Sequence, residues 1–216
     1  MPGTPPRPTP IYRIVHINNL SRIVDAEGLV CENRRPVFEE NYHSIAHRNI
    51  QQRRHHTSVP CGPGGTIHDY VPWYFGTRSP MLYANHRGNV PTNTDGQQAI
   101  IYLVSTVEAV VAAGLPFVFT DGHAIMFNSN FYDDLAHLDQ VDWPLMTAQY
   151  WHDTDDDPDR SRRKQAEFLV HGAFPWSLVH EIGVYDEGRL HEVRSSLQGR
   201  THEPTVRLKR AWYFER

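Results

Sequence analysis

The chain has 216 residues, 39% hydrophobic and 21% charged, with a formal net charge of −4, ordinary usage for one substantial globular domain or two small ones. No run approaches the roughly 18 to 20 apolar residues that cross a bilayer, and the first ten residues carry prolines where a secretory signal needs an apolar stretch. Two cysteines, Cys31 and Cys61, with no CxxC pair exclude a disulfide framework, and the negative balance confines any nucleic-acid contact to local basic patches.

Met1 to Pro10 reads as a flexible lead, because prolines remove donors and favour extended backbone. Ile11 to Val15 alternates apolar and polar residues and predicts a strand, followed by a helical face over Ser21 to Glu27 with Gly28 as its stop. Leu29 to Cys31 predicts a short strand. From Asn33 to Gly65 periodicity dissolves into a segment holding Arg34, Arg35, Arg48, Arg53, Arg54 and the turn-prone Cys61-Gly-Pro-Gly-Gly65. A loop of that length inside a domain is usually functional or disordered.

Val71 to Phe75 predicts a buried aromatic strand, Ala99 to Val104 another, Thr106 to Ala113 a short helix ended by Gly114, and Phe117 to Thr120 a third apolar run. An acidic stretch, Asp153 to Asp159, stands directly before the basic Arg160, Arg162, Arg163 and Lys164. Ala166 to Val170 is apolar except for Glu167. Ser177 to Val184 predicts a strand region, Leu190 to Leu197 a helix, and Ala211 to Phe214 a closing strand. Strands separated by short helices and long loops give an α+β class, with no repeat and no linker, so 11–216 reads as a single domain.

Glu167 carries two readings. A lone glutamate in an apolar run is most simply an outward strand position; alternatively it is a carboxylate at a pocket edge, placed to bind a sugar hydroxyl or stabilise a cationic centre. Arg53 and Arg54 are either a solvated face or a forked contact for the pyrophosphate of a dinucleotide. The Gly62 to Gly65 run matches neither GxGxxG nor the P-loop signature. Counting an EF-hand from Asp153 puts Pro158 and Lys164 where Gly and Glu are required. His43 and His47 lack the intervening glutamate of HExxH, so no metal site is expected.

Five segments in order resemble the DarT family of DNA ADP-ribosyltransferase toxins: Ile11-Tyr-Arg-Ile-Val-His-Ile-Asn-Asn-Leu20, His68-Asp-Tyr-Val-Pro-Trp-Tyr-Phe75, Arg78-Ser-Pro-Met-Leu82, Phe119-Thr-Asp-Gly-His-Ala124 and Arg163-Lys-Gln-Ala-Glu-Phe-Leu-Val170. The resemblance extends to Trp212-Tyr-Phe214. It implies an ADP-ribosyltransferase-like split β-sandwich holding NAD⁺ as co-substrate between its sheets, with a loop around Phe38 to His56 over the dinucleotide and a substrate loop from about Gly122 to Glu167. By the same resemblance Glu167 is the catalytic glutamate and Arg54, with Arg53 adjacent, the catalytic arginine. His16, Ile17, Asn18, Leu20, Gly28, Leu29 and Arg54 fall on the NAD⁺ side, with Tyr74 or Phe75 stacking on nicotinamide.

On the substrate side the implied residues are Arg78, Met81, His123, Tyr150, Trp151, Arg162 and Arg163, with Lys164 behind them. The implied acceptor is a base of single-stranded DNA, usually thymine through N3, because such chemistry needs an unstacked base. A guanidinium, with a pKa above about 12, is a poor base, so Arg54 reads as an electrostatic stabiliser and the base role stays open. A cytoplasmic location and a macrodomain antitoxin (DarG-like) as partner are the remaining expectations, with no membrane. The rival readings are an ADP-ribosyltransferase acting on protein or RNA, a non-catalytic nucleotide- or DNA-binding module, and a metal-dependent nuclease built on the Asp153 to Asp159 run.

Overall fold

The protein is described here from a computed structural model covering residues 3–35 and 42–215. In chain order the elements are β1 (Pro10–His16), α1 (Leu20–Asp25), β2 (Gly28–Val30), α2 (Arg48–His56), β3 (Tyr70–Tyr74), α3 (Pro80–His86), β4 (Ile100–Thr106) and α4 (Val107–Ala112). There follow β5 (Phe117–Thr120), β6 (Phe131–Tyr132), α5 (Trp143–Thr147), α6 (Arg160–Arg163), β7 (Glu167–His171), β8 (Ala173–Pro175), β9 (Glu181–Val184), α7 (Glu187–Leu197) and β10 (Thr205–Leu208). Eight strands pair in the order β10-β9-β4-β1-β3-β7-β5-β6, antiparallel except for β9 with β10, and β2 pairs with β8 alone. The α+β class holds.

The sheet is split in its middle. β1 pairs with β4 along its whole length, from Pro10 against Thr106 to His16 against Ile100. It pairs with β3 through the single register Tyr12 to Tyr74. β3 in turn runs fully alongside β7, from Tyr70 against His171 to Tyr74 against Glu167. Two four-stranded halves therefore meet at one point and splay apart beyond it. Across the opening, Arg13 Nη1 of β1 donates to the Pro72 carbonyl of β3 at 2.8 Å, a side-chain bond standing where a ladder bond would be.

β4 and β7 are central strands covered on both faces. Ile100 to Leu103 of β4 and Glu167 to Val170 of β7 are all buried. Their apolar runs therefore lack the alternation of a half-exposed strand. The helices close the faces. Thr106 Oγ1 accepts from the Ala109 amide at 3.1 Å and so caps α4, and Gly114, at φ 65°, ends it in the left-handed region. Gly28 is required for contact rather than for a turn, since a Cβ there would lie 2.3 Å from the Phe174 carbonyl oxygen of β8.

Two expectations from the sequence are corrected. Arg48–His56 is a helix, not structureless loop; Arg54 is its one buried residue, so it has no apolar stripe to read. Residues 38–41 of the segment expected to cover a dinucleotide lie outside the described residues. The closing strand over Ala211 to Phe214 is instead a 3₁₀ turn, Arg210–Trp212. It is followed by buried Tyr213, whose hydroxyl donates to the Ile100 carbonyl at 2.8 Å. The lead is anchored by Thr9: its amide donates to both Glu108 oxygens, at 2.9 and 3.1 Å, and its carbonyl accepts from Val107 at 2.9 Å. Among the described residues no helix is long and apolar enough to cross a membrane.

Candidate active site

The gap between the half-sheets opens into a cleft of about 580 Å³, with Arg13 and Ile14 of β1 on one side and Pro72 and Tyr74 of β3 on the other. Residues of α2, α3 and the loop after β5 form the remaining walls. Glu167 stands at the start of β7, beside Tyr74. Its side chain is 1% exposed, so it does not face solvent, and the outward-strand reading fails: β7 has β3 on one edge, β5 on the other and core on both faces.

The Glu167 carboxylate is held by three hydrogen bonds. Arg54 Nη1 donates to both of its oxygens, at 3.1 and 2.9 Å. The Ala124 amide donates to Oε1 at 3.1 Å. The backbone is fixed as well, because the Glu167 amide donates to Thr120 Oγ1 at 3.1 Å and that hydroxyl donates to the Gly122 carbonyl at 2.6 Å. A buried carboxylate is tolerated when it is paired and hydrogen-bonded on this scale. Arg54 is only 8% exposed, and its Nη2, also buried, has no partner among the described residues. A guanidinium nitrogen left unsatisfied beside a cleft is a donor waiting for an acceptor.

The cleft is cationic. Arg13, Arg35, Arg53 and Arg54 line it against Glu32 and Glu167. Arg35 stacks over the Tyr42 ring, 4.0 Å from its centroid. Burial pulls the Arg13 pKa down; Tyr42 opposes that, and the charges of Arg35 and Arg54 add to it. Arg13 Nε is buried without a partner among the described residues. Such a set suits a diphosphate, for which guanidinium is the forked, weakly hydrated ligand. Arg13 escapes the sequence reading, yet it carries the same signal as Glu167: a charged side chain inside an apolar strand.

Tyr74 remains a neutral phenol, because burial and then the Glu167 charge push its pKa up. His123, also on the wall, is pushed down to about 4; burial is the main cause, the Arg54 and Arg53 charges add to it, and Glu167 opposes. The linkage has a definite sign. The folded pKa lies below the ordinary histidine value near 6.5, so the stability tied to neutral His123 is complete above about 6.5 and is lost as pH falls toward 4. In an NMR titration the His123 ring should keep its neutral chemical shifts down to pH 5; a midpoint near 6.5 would overturn this.

Of the other residues implied by resemblance, Met81 lines the cleft from α3. His16 is buried outside that lining, with Nε2 3.0 Å from Asp95 and its ring stacked on His43 at 4.7 Å. Ile17 and Leu20 are core, Asn18 is exposed, and Gly28 and Leu29 pair with β8. Of Tyr74 and Phe75, only Tyr74 faces the cleft. Phe75 packs edge-on against Phe119, Trp143 and Phe168, on the opposite side as strand alternation requires.

The expected basic patch is internally neutralised. Arg162 pairs with Asp121 and Asp159, and Arg163 with Asp142 and Asp157, so the acidic run answers the basic one. Lys164 is buried, with Nζ donating to the carbonyls of Leu145, Met146 and Ala148 at 2.9 to 3.2 Å. Burial, with the Arg78 charge adding, lowers its pKa to about 8. Arg78, at φ 55°, spends Nε and Nη2 on the Tyr213 carbonyl. Trp151 is core against Tyr83, while Tyr150 is 76% exposed. Arg162, Arg163, Lys164, Arg78 and Trp151 thus each have an internal partner or a packing role beside the DNA contact that the resemblance implies. Among the described residues no group of three or more His, Cys, Asp or Glu side chains is arranged to hold a metal.

Residues 12–214 match the family described as ssDNA thymidine ADP-ribosyltransferase, DarT. The chain is 44% identical over 216 residues to a DNA ADP-ribosyl transferase of Thermus sp. (strain 2.9), covering 99% of this chain and all of that one. Among solved structures it is similar to Thermus sp. 2.9 DarT in complex with ADP-ribosylated ssDNA, with a TM-score of 0.92 at 44% identity and coverage of 99% and 100%. It is also similar to Thermus sp. 2.9 DarT in complex with NAD⁺, with a TM-score of 0.88 at 42% identity over 98% of this chain and 100% of that one.

Proposed function

The chain belongs to the DarT family of ssDNA thymidine ADP-ribosyltransferases, and from that premise we propose that Glu167 and Arg54, at the split of the sheet, carry the transfer of ADP-ribose to a thymine base. The observation that carries the assignment is the buried Arg54–Glu167 pair, with Arg54 Nη2 left without a partner beside the cleft. NAD⁺ supplies the ADP-ribosyl group, with nicotinamide as the leaving group. The buried, unsatisfied donors Arg54 Nη2 and Arg13 Nε fit an anionic diphosphate.

Glu167 orients a ribose hydroxyl and offsets the positive charge that builds at the anomeric carbon as nicotinamide departs. Its hydrogen bonds to Arg54 and Ala124 are made before reaction, so no reorganisation is needed at that moment. Tyr74, adjacent in register, presents a flat neutral ring to the same region. Transfer breaks the bond from the anomeric carbon to nicotinamide and forms one to thymine N3, whose proton must leave. The Arg54 guanidinium steadies the developing negative charge of the base. His123, kept neutral by burial, offers an uncharged nitrogen to a proton that becomes strongly acidic as the new bond forms.

The protein acts on single-stranded DNA in the cytoplasm, where NAD⁺ and unpaired DNA meet, as the toxin of a pair whose macrodomain antitoxin removes the mark. That partnership is supported by family membership alone. The decisive experiment offers labelled NAD⁺ separately with thymine-containing oligonucleotides, thymine-free oligonucleotides, RNA and protein, and reads products by mass spectrometry. Label confined to thymine in single-stranded DNA is expected; label on protein or RNA instead would overturn the reading.

A further inference from the structure

Phe127 is 97% exposed, an arrangement that an apolar ring does not reach by packing. The loop that carries it is tightly braced. The Met126 amide donates to the His123 carbonyl at 2.9 Å and the Ser129 amide to the Met126 carbonyl at 3.0 Å. The Ser129 hydroxyl donates to the His123 carbonyl at 2.8 Å, and Arg162 Nη1 donates to that hydroxyl at 3.1 Å. The Asn130 amide donates to Asp121 at 3.0 Å. Three members of the loop, His123, Ile125 and Met126, line the cleft. A fixed loop therefore holds a bare aromatic face at the cleft rim.

Beside it lies a cation. Arg53 Nη2 donates to the Ile125 carbonyl of the same loop at 3.2 Å. Arg53 also borders a second, open hollow of about 610 Å³ on the outer face of α2, with Asn49, Gln52, His56 and Thr57. One residue thus borders both spaces, and α2 contains no acidic side chain. A flat apolar ring next to a guanidinium and polar amides is the chemistry that holds one nucleotide of a single strand: base on ring, phosphate on cation.

We propose that Phe127 is a stacking platform for a nucleotide flanking the modified base, with the strand leaving the cleft over Arg53 and the outer face of α2. This rests on the single-stranded DNA reading above and adds to it a specificity-determining residue and a direction of exit. The exit lies on one side only, so the contact belongs to either the 5′ or the 3′ flank of the target.

The test uses the full chain, NAD⁺ and oligonucleotides with a single thymine, either long on both sides or cut back on one side at a time. On the long oligonucleotide Phe127→Ala should raise KM for DNA about tenfold, the scale of one lost base–aromatic stack, with kcat within about twofold. Phe127→Trp should restore KM. Cutting back one flank should raise KM for the unmutated chain and abolish the difference between it and Phe127→Ala, whereas cutting back the other should leave that difference intact. An unchanged KM in Phe127→Ala, or a difference that survives both truncations, would overturn the proposal. A chain that modifies none of the oligonucleotides would instead overturn the reading beneath it.

Discussion

Replacing Glu167 by glutamine is expected to reduce transfer of ADP-ribose to an oligonucleotide by about a thousandfold, the scale seen when one preorganised electrostatic group is removed from a transition state. Size is conserved, so the loss is one of charge. The effect reaches further than the substrate, because Glu167 is also the partner of Arg54 Nη1 among the described residues. The amide presents a donor where both carboxylate oxygens accept, leaving a buried guanidinium without its counter-charge. Breaking one member of a buried pair costs about 3 kcal/mol at the lower end, and Arg54, with a little exposure, belongs at that end. For a chain of this length that is a fall of roughly 6 to 12 °C in Tm. Transfer is read by mass spectrometry and unfolding by circular dichroism. Wild-type rates in a folded Glu167→Gln protein would dismiss the carboxylate from the chemistry.

The second large effect separates the two nitrogens of Arg54. Nη1 holds Glu167, while Nη2 is unpaired. Lysine keeps the charge and can replace one donor, whereas it cannot present two fixed donors in a plane. Arg54→Lys should therefore remain folded with a Tm near that of the unmutated chain, and lose about a hundredfold in kcat/KM. Arg54→Ala removes both functions: it strands a buried carboxylate on the single Ala124 amide and should melt well below the lysine variant. If lysine restores the rate fully, Arg54 serves only to hold Glu167, and the role given to Nη2 fails.

Glu167 and Arg13 show why the sequence speaks only in part. Each interrupts an apolar strand, and alternation assigns such a residue to the solvent face. That rule holds for a sheet with one wet side. It does not hold in β7, covered on both faces, nor where β1 parts from β3 and the exposed side of the strand becomes the floor of a cleft. Similarity along five segments supplied what the pattern lacked for Glu167 and offered nothing for Arg13.

Tyr74 and Phe75 mark a different limit. Alternation says that one of them faces the cleft, and only the pairing of Tyr74 with Glu167 says which. The strands themselves were legible wherever apolar runs were long, as in β4 and β5, and α4 announced itself through Thr106 and Gly114. α2 did not, since it is held by Arg53, Arg54 and Gln51, which bond to Ile125, Glu167 and His68. Those contacts span 17 to 113 positions and leave no local trace. The acidic and basic runs hide their pairing for the same reason. Read in line they are two surfaces; folded, Asp121 and Asp142 join Asp157 and Asp159 in neutralising Arg162 and Arg163.

Arg54 and Glu167 lie 113 positions apart, and this sets when the site can form during synthesis. A ribosome that has released α2 still has most of the chain to make before β7 emerges and the pair can close. Nascent chains that end before β7 therefore cannot close the pair, however well their early strands have formed.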